Sequence, residues 1–244
     1  MGNNKLTVIS SQGIEQWNTY GKDLVDTFLK HWPTEIVLQL YTEDIDKFSL
    51  SSDRVNLKDL VKLAGNDYKN FIESVPNNSI WDRCKKFSKK AFSIIDALDN
   101  TNEGFLIWID ADVKTKKDIP LSMLENICPE DCLTAHLGLT QYIKKFDKRV
   151  YSSETGFFII NCEHPHKKYF LDEYRRSYVE RDFEGLRKPF DAEVFARTIK
   201  KIEAQHGTKY KELSPDLNLL GPFRKSVLAE YMYHYKAKHK KKLV

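Results

Sequence analysis

Residues 105–113 read Phe105-Leu106-Ile107-Trp108-Ile109-Asp110-Ala111-Asp112-Val113. The five apolar residues follow Gly104 and show none of the alternation of a half-exposed strand. Such a run suits a central strand buried on both faces of an α/β sheet. It ends in two acids separated by one residue. In open α/β sheets, ligands bind beyond the carboxyl ends of the strands. Two carboxylates placed there, with no Lys or Arg in the motif, repel each other, and a divalent cation relieves the repulsion. Hard oxygen ligands suit Mg²⁺ or Mn²⁺, and such an ion can bridge the phosphates of a nucleotide. The plainer alternative is a polar turn in which Asp112 caps the next segment.

The flanking sequence fits a largely parallel sheet, because apolar runs alternate with segments of helical period. Lys5 to Ser10 reads as a first strand, and Ser11, Gln12 and Gly13 as its turn. A helix from Glu15 to His31 ends near Pro33, and Ile36 to Tyr41 reads as a second strand. Residues 44–80 carry turn signals and short helices over Leu57–Leu63 and Asp67–Glu73. A longer helix spans Asp82 to Leu98, where Phe87, Ala91, Ile94, Ile95 and Leu98 recur on one buried face. Arg83, Lys86 and Lys90 line another face of it. Strands are expected over Cys132–Leu139 and Gly156–Asn161, and helices over Lys167–Glu180, Ala192–Ile202 and Arg224 to about Tyr235.

With 244 residues, 41% hydrophobic and 30% charged, the chain suits one large α/β domain, 1–244, and excludes a disordered protein. It has no apolar run of about 18 residues that could span a membrane. Met1 to Ser10 lacks the apolar core and cleavage site of a signal peptide, so a cytoplasmic setting is expected. In that setting Cys84, Cys128, Cys132 and Cys162 read as reduced thiols, for no Cys or His cluster completes a zinc site. From Phe223 to Val244 there are seven Lys or Arg against one acid, Glu230. That local +6 leaves −2 for the rest of a chain whose net charge is +4. A cationic segment suits an anionic ligand, though a solvated tail has the same composition.

FLIWIDADV resembles the DxD strand of the GT-A glycosyltransferases, which are nucleotide-diphospho-sugar transferases. Other segments agree in order. A basic helix of the kind seen at Arg83–Ala91 often precedes that strand. A strand like Glu154-Thr155-Gly156-Phe157-Phe158 follows it and borders the acceptor, and an acidic helix start like Phe190-Asp191-Ala192-Glu193 comes later. His234-Tyr235-Lys236-Ala237-Lys238 resembles the family's C-terminal His with downstream Gly and Lys, except that Ala237 stands where the Gly often is. The resemblance covers roughly residues 5–240 and rests on motif order.

It implies a GT-A-like domain, mainly parallel and flanked by helices, with a divalent metal (Mn²⁺ or Mg²⁺) held by Asp110, Asp112 and His234. Asp110 and Ala111 would lie at the donor's ribose or metal shell. Ser10, Ser11 and Gln12 would hold base and ribose, and Arg83, Lys86 and above all Lys90 would reach base or phosphates. Lys236 or Lys238 would neutralise the diphosphate, with segment 223–244 closing over the donor. Glu154, Thr155 and Gly156 become acceptor-side contacts, Glu154 the most exposed. Asp191 and Glu193 become the candidate general bases. Yet Asp191 sits where a helix N-cap belongs and Glu193 in a first turn, positions that favour acids anyway.

Family members of the eukaryotic Golgi normally carry an anchor, so the expectation is either an enzyme of a bacterial or virus-infected cytoplasm or a sequence trimmed of its anchor. The donor is expected to be a UDP-sugar and the acceptor a saccharide. A hydroxymethylated base of viral DNA is the alternative acceptor, and it would require base flipping and salt-sensitive binding. A nucleotidyltransferase would share the sheet and metal chemistry, but Ser10–Glu15 has one Gly and no Lys or Arg. A non-catalytic nucleic-acid binder using the tail would leave Asp110, Asp112 and His234 unexplained. Three further features have ordinary readings. Glu163, His164 and His166 fit a turn around Pro165, His136 fits a satisfied strand histidine, and Tyr231, Tyr233 and Tyr235 fit packing more readily than stacking on a base or sugar.

Overall fold

The computed structural model describes residues 5–143, 148–218 and 221–235. The strand β4 (Phe105–Ile109) is buried at all five positions, as its unbroken apolar run predicts. Its neighbours are β1 (Leu6–Ser11) on one side and β7 (Lys148–Asn161) on the other. Beyond β1 lie β2 (Val37–Thr42) and β3 (Val55–Asp59). Beyond β7 lie β6 (Thr134–Ile143) and β8 (Tyr210–Glu212), giving the order β3-β2-β1-β4-β7-β6-β8. Pairing is parallel from β3 through β4. It then reverses, for β7 is antiparallel to both β4 and β6, and β8 is parallel to β6.

Helices cover both faces, which is why the central strands need no polar side. Phe105, Ile107 and Ile109 pack with Val8, Leu38 and Leu40 against α2 (Lys22–His31) and α5 (Leu121–Ile127). Leu106 and Trp108 pack with Ile9, Phe158 and Ile160 against the other layer. That layer is α3 (Leu60–Ser74), α4 (Ser79–Asp99), α6 (Lys167–Val179) and α7 (Asp191–His206). α4 starts where Asn78 accepts the Ile80 and Trp81 amides in its side chain. The first helical stretch is α1 (Ile14–Gln16), which runs through a π turn (Trp17–Gly21) into α2. A Cβ at Gly21 would sit 1.6 Å from the Gln12 side-chain oxygen, so a larger residue in that turn would displace the Gln12 amide.

Three expectations need correction. Residues 57–63 are not a helix of their own. Val55–Asp59 pairs with β2 as β3, and Asp59 then caps α3, which is bent at Gly65 (φ +56°). The segment 224–235 is not a helix. It forms 3₁₀ turns at Pro222–Lys225 and Val227–Glu230, and then β9 (Met232–His234), which pairs antiparallel with β5 (Val113–Thr115). β7 begins at Lys148 rather than Gly156, so its first half and β6 extend past the carboxyl end of β4 as a two-stranded arm. The four cysteines are free thiols. Among the described residues, no helix is long and apolar enough to cross a membrane.

Candidate active site

Asp110 leaves β4 with its amide bonded to Gly156 O at 2.9 Å, across the reversal from parallel to antiparallel pairing. Its Oδ1 accepts the Trp108 indole N–H at 2.7 Å and Lys90 Nζ at 2.9 Å. Lys90, 5% exposed, also pairs with Asp191 at 3.0 Å, donates to Thr155 O, and lies over the rings of Trp108 and Phe158. Burial acts to lower its pKa, but Asp110 and Asp191 outweigh that and raise it, so Lys90 stays charged. Asp191 also accepts the Thr155 hydroxyl at 2.6 Å. It is therefore not the N-cap of α7. Phe190 occupies that position, and the Asp191 carboxylate is buried inward on Lys90.

His234 reaches the acids through the small sheet. β9 pairs Val113 with His234, and the Tyr235 amide donates to Asp112 O at 2.9 Å. The imidazole Nε2 then stands 3.0 Å from Asp112 Oδ1 and 3.7 Å from Asp110 Oδ2, while Nδ1 stands 3.1 Å from Glu154 Oε1. Gly156 lies against the ring, for a Cβ there would be 2.6 Å from Cε1 and Nδ1. Glu154, expected from sequence to be exposed, is buried at 7%, its second oxygen accepting the Phe223 amide at 3.4 Å. Burial acts to lower the His234 pKa, yet hydrogen bonds to Asp112 and Glu154 and the charges of Asp110 and Asp112 raise it to about 9. The imidazolium proton thus occupies the place of a cation among three carboxylates. Ligand atoms of Asp110, Asp112 and His234 lie within 4.8 Å of one another. Two carboxylates and an imidazole are a donor set that suits Mn²⁺ or Mg²⁺. Glu154 holding Nδ1 would fix the tautomer that turns Nε2 toward the metal.

No protein-family model matches the chain, and no curated protein matches it in sequence. Solved structures do. Mouse xyloside xylosyltransferase 1 in its apo form superposes with a TM-score of 0.54 at 13% identity, over 96% of this chain and 98% of that one. The bifunctional glycosyltransferase WbbM gives 0.53 at 12% identity, over 96% of this chain but 46% of its own. A glycosyltransferase involved in glycosylation of the major capsid of PBCV-1 gives 0.50 at 13% identity, over 98% of both chains. This is the GT-A glycosyltransferase fold. Asp110-x-Asp112 fits a DxD motif.

The other expected positions of the GT-A reading fall in different surroundings. At the exit of β1, Ser10 and Gln12 are buried, and Ser10 Oγ and both amide atoms of Gln12 lack hydrogen-bond partners among the described residues. Ser11 is half-buried. Arg83 and Lys86 are exposed on α4, two turns and one turn before Lys90. Glu193 is clamped: Arg187 donates to its Oε1 at 3.1 and 2.8 Å, the Lys188 amide to its Oε2 at 3.0 Å. Lys236 and Lys238, with most of the basic tail, lie outside the described residues. His136 is a satisfied strand histidine, between Thr134 at 3.1 Å and Tyr151 at 2.5 Å. His166 bonds Thr208 at 2.6 Å and His164 accepts the His166 amide at 3.0 Å, the turn expected there.

Sequence reasoning missed Glu43, Asp44 and Lys89 beside the β1 exit. Lys89 pairs with Glu43, and Asp44 accepts the Ile14 amide at 3.3 Å. A signal was present, since Glu43-Asp44 follows an apolar strand just as Asp110 does.

Proposed function

We propose that the chain is a metal-dependent glycosyltransferase that moves a sugar from a nucleotide-diphosphate donor, UDP in the first instance, to a hydroxyl of a saccharide acceptor. One observation carries this: two carboxylates and an imidazole from distant parts of the chain meet at the carboxyl end of the central strand of a GT-A fold. His234 Nε2 stands closer to Asp112 Oδ1 than to Asp110 Oδ2, and these three are the candidate ligand atoms. A bound Mn²⁺ or Mg²⁺ would supply Lewis-acid stabilisation of the departing nucleoside diphosphate, where negative charge develops.

The chain's own residues fix the geometry. Lys90 and Trp108 hold Asp110 Oδ1, which leaves Oδ2 on the His234 side. Of the two candidate bases, Asp191 is better supported than Glu193. Both are ion-paired, Asp191 with Lys90 and Glu193 with Arg187, but Asp191 stands nearer the triad because its Lys90 also holds Asp110. The saccharide acceptor rests on likeness: mouse xyloside xylosyltransferase acts, by its name, on a glycoside.

Calorimetric titration of UDP into the wild type and Asp112→Ala, each with and without Mn²⁺, tests the reading. Tight binding is expected only when Mn²⁺ and Asp112 are both present. Binding indifferent to both would sink it.

A further inference from the structure

A basic strip borders the site on the side of Asp191. Arg83 and Lys86 are exposed on α4, and Lys188 is exposed in the turn before α7. The two segments meet through Phe87 and Phe190, whose ring centroids are 5.4 Å apart, and Lys188 Nζ lies 5.6 Å from the centroid of the Phe190 ring. Residues four apart share a helix face, so Arg83 neighbours Phe87, and Lys86 neighbours Lys90. Along the helix axis Lys86 and Arg83 are set back from Lys90 by roughly 6 and 10 Å. Arg187 is spent on Glu193, but Arg83, Lys86 and Lys188 form no ion pair among the described residues. Three cations grouped without an acid attract an anion.

The strip adjoins the better-supported base. Phe190 precedes Asp191 in the chain, and Lys86 lies one turn from the lysine that holds it. Asp191 Oδ2 takes the Thr155 hydroxyl and Lys90, which leaves Oδ1 without a hydrogen-bond partner among the described residues and open to an acceptor hydroxyl. The candidate metal ligands lie on the other side of Asp110, which turns Oδ1 to Lys90 and Oδ2 to His234. A diphosphate on that metal belongs to the His234 side, and the base and ribose of a donor bring no charge for the strip to meet. Nor are the rings an open platform for nucleobases. Phe87 and Phe190 meet edge to face at 62°, and Lys188 lies over Phe190.

We infer that this strip is an acceptor subsite and that the acceptor is an anionic saccharide, whose phosphate or carboxylate is bound by Arg83, Lys86 and Lys188 while a hydroxyl reaches Asp191. The inference rests on the glycosyltransferase reading and narrows its substrate. Exposed ion pairs contribute modestly, so the three cations together should give about a tenfold preference over a neutral sugar.

The test is an NMR titration of glucose, glucose 6-phosphate and glucuronate into the full chain with Mn²⁺ and UDP. It compares the wild type with Lys188→Ala and with Arg83→Ala/Lys86→Ala, changes on two separate segments. All three side chains are exposed, so both variants keep the fold. The expected result is about tenfold tighter binding of an anionic sugar than of glucose, weakened in Lys188→Ala and lost in the double variant. Preference for either anion supports the inference and names the group that is bound. Equal affinity for all three sugars, no binding of the anionic ones, or a preference that survives in both variants would overturn it. So would a loss of UDP affinity in either variant, which would assign the strip to the donor. A single-stranded DNA oligonucleotide that displaces glucose 6-phosphate would also overturn it, by making the strip a nucleic-acid surface. Failure of the wild type to bind UDP with Mn²⁺ overturns the glycosyltransferase reading as well, whereas UDP binding without discrimination among the sugars overturns this inference alone.

Discussion

Replacing Gly156 with alanine adds a single methyl group, and the structure places it 2.6 Å from Cε1 and Nδ1 of His234. Carbon contacts settle near 3.5–4.0 Å, so the ring must retreat by about 1 Å. Metal–ligand distances tolerate only about 0.2 Å. The retreat therefore removes Nε2 from the ligand set and also breaks the ring's 3.1 Å contact to Glu154. Loss of a residue that merely orients a ligand lowers metal affinity by about 10- to 100-fold. Displacing the ligand should cost at least the upper end, about 100-fold in Mn²⁺ affinity measured calorimetrically in the presence of UDP. The fold should lose no more than the ordinary cost of overpacking, about 1–3 kcal/mol by urea unfolding. A double-mutant cycle makes the reasoning strict. In a His234→Ala background the methyl has no ring to displace, so Gly156→Ala should lower Mn²⁺ affinity no further. Wild-type affinity in Gly156→Ala, or an equal further loss in the His234→Ala background, would refute the steric coupling.

Lys90→Met should destabilise the chain by about 3–5 kcal/mol in urea unfolding, because Asp110 and Asp191 lose the buried cation between them. A change under 1 kcal/mol would mean that the carboxylates are far more solvated than the geometry implies. Glu154→Gln should lower Mn²⁺ affinity about 10- to 100-fold without unfolding the protein, since the imidazole loses the carboxylate at Nδ1; unchanged affinity would remove Glu154 from the site. His136 is held neutral, its pKa lowered from 6.5 to about 3 by burial and by Lys200. Its contribution is complete above pH 6.5 and lost as pH falls toward 3, which amounts to about 2 kcal/mol by pH 5. His136→Gln should flatten that stability profile; an identical acid dependence in the two proteins would place the loss elsewhere.

The carboxylate half of the site is legible because its signal is local. An unbroken apolar run names a strand buried on both sides, and the acids that end it fall where α/β sheets bind ligands. Lys90 stands out in the sequence for its depth on a basic helix face, but only coordinates show it between two carboxylates while Arg83 and Lys86 remain exposed. Motif order names His234 but sets it in the wrong element. The alternation of Tyr231, Tyr233 and Tyr235 with Met232 and His234 is the period of a strand, but a three-residue strand has too few positions to outweigh helix-favouring neighbours. Asp191 reads as a cap because a first-turn acid has a good local reason to be there; its actual partner, Lys90, is remote in sequence. The inward placement of Glu154 comes from pairing across β6 and β7, and no periodicity in a single segment reports that.

The union of β5 with β9 has a temporal side. A ribosome delivers Asp110 and Asp112 well before His234, and at about 5–20 residues per second the interval is on the order of ten seconds. During it, the growing chain can assemble the parallel half of the sheet from β1 to β4, with its two acids already side by side. The reversed half comes next, and the His234 strand arrives after every other strand described. A nascent chain therefore carries only the two acids of the triad until its last described strand docks, and premature termination before residue 232 yields a product that keeps the strands of its large sheet and lacks His234.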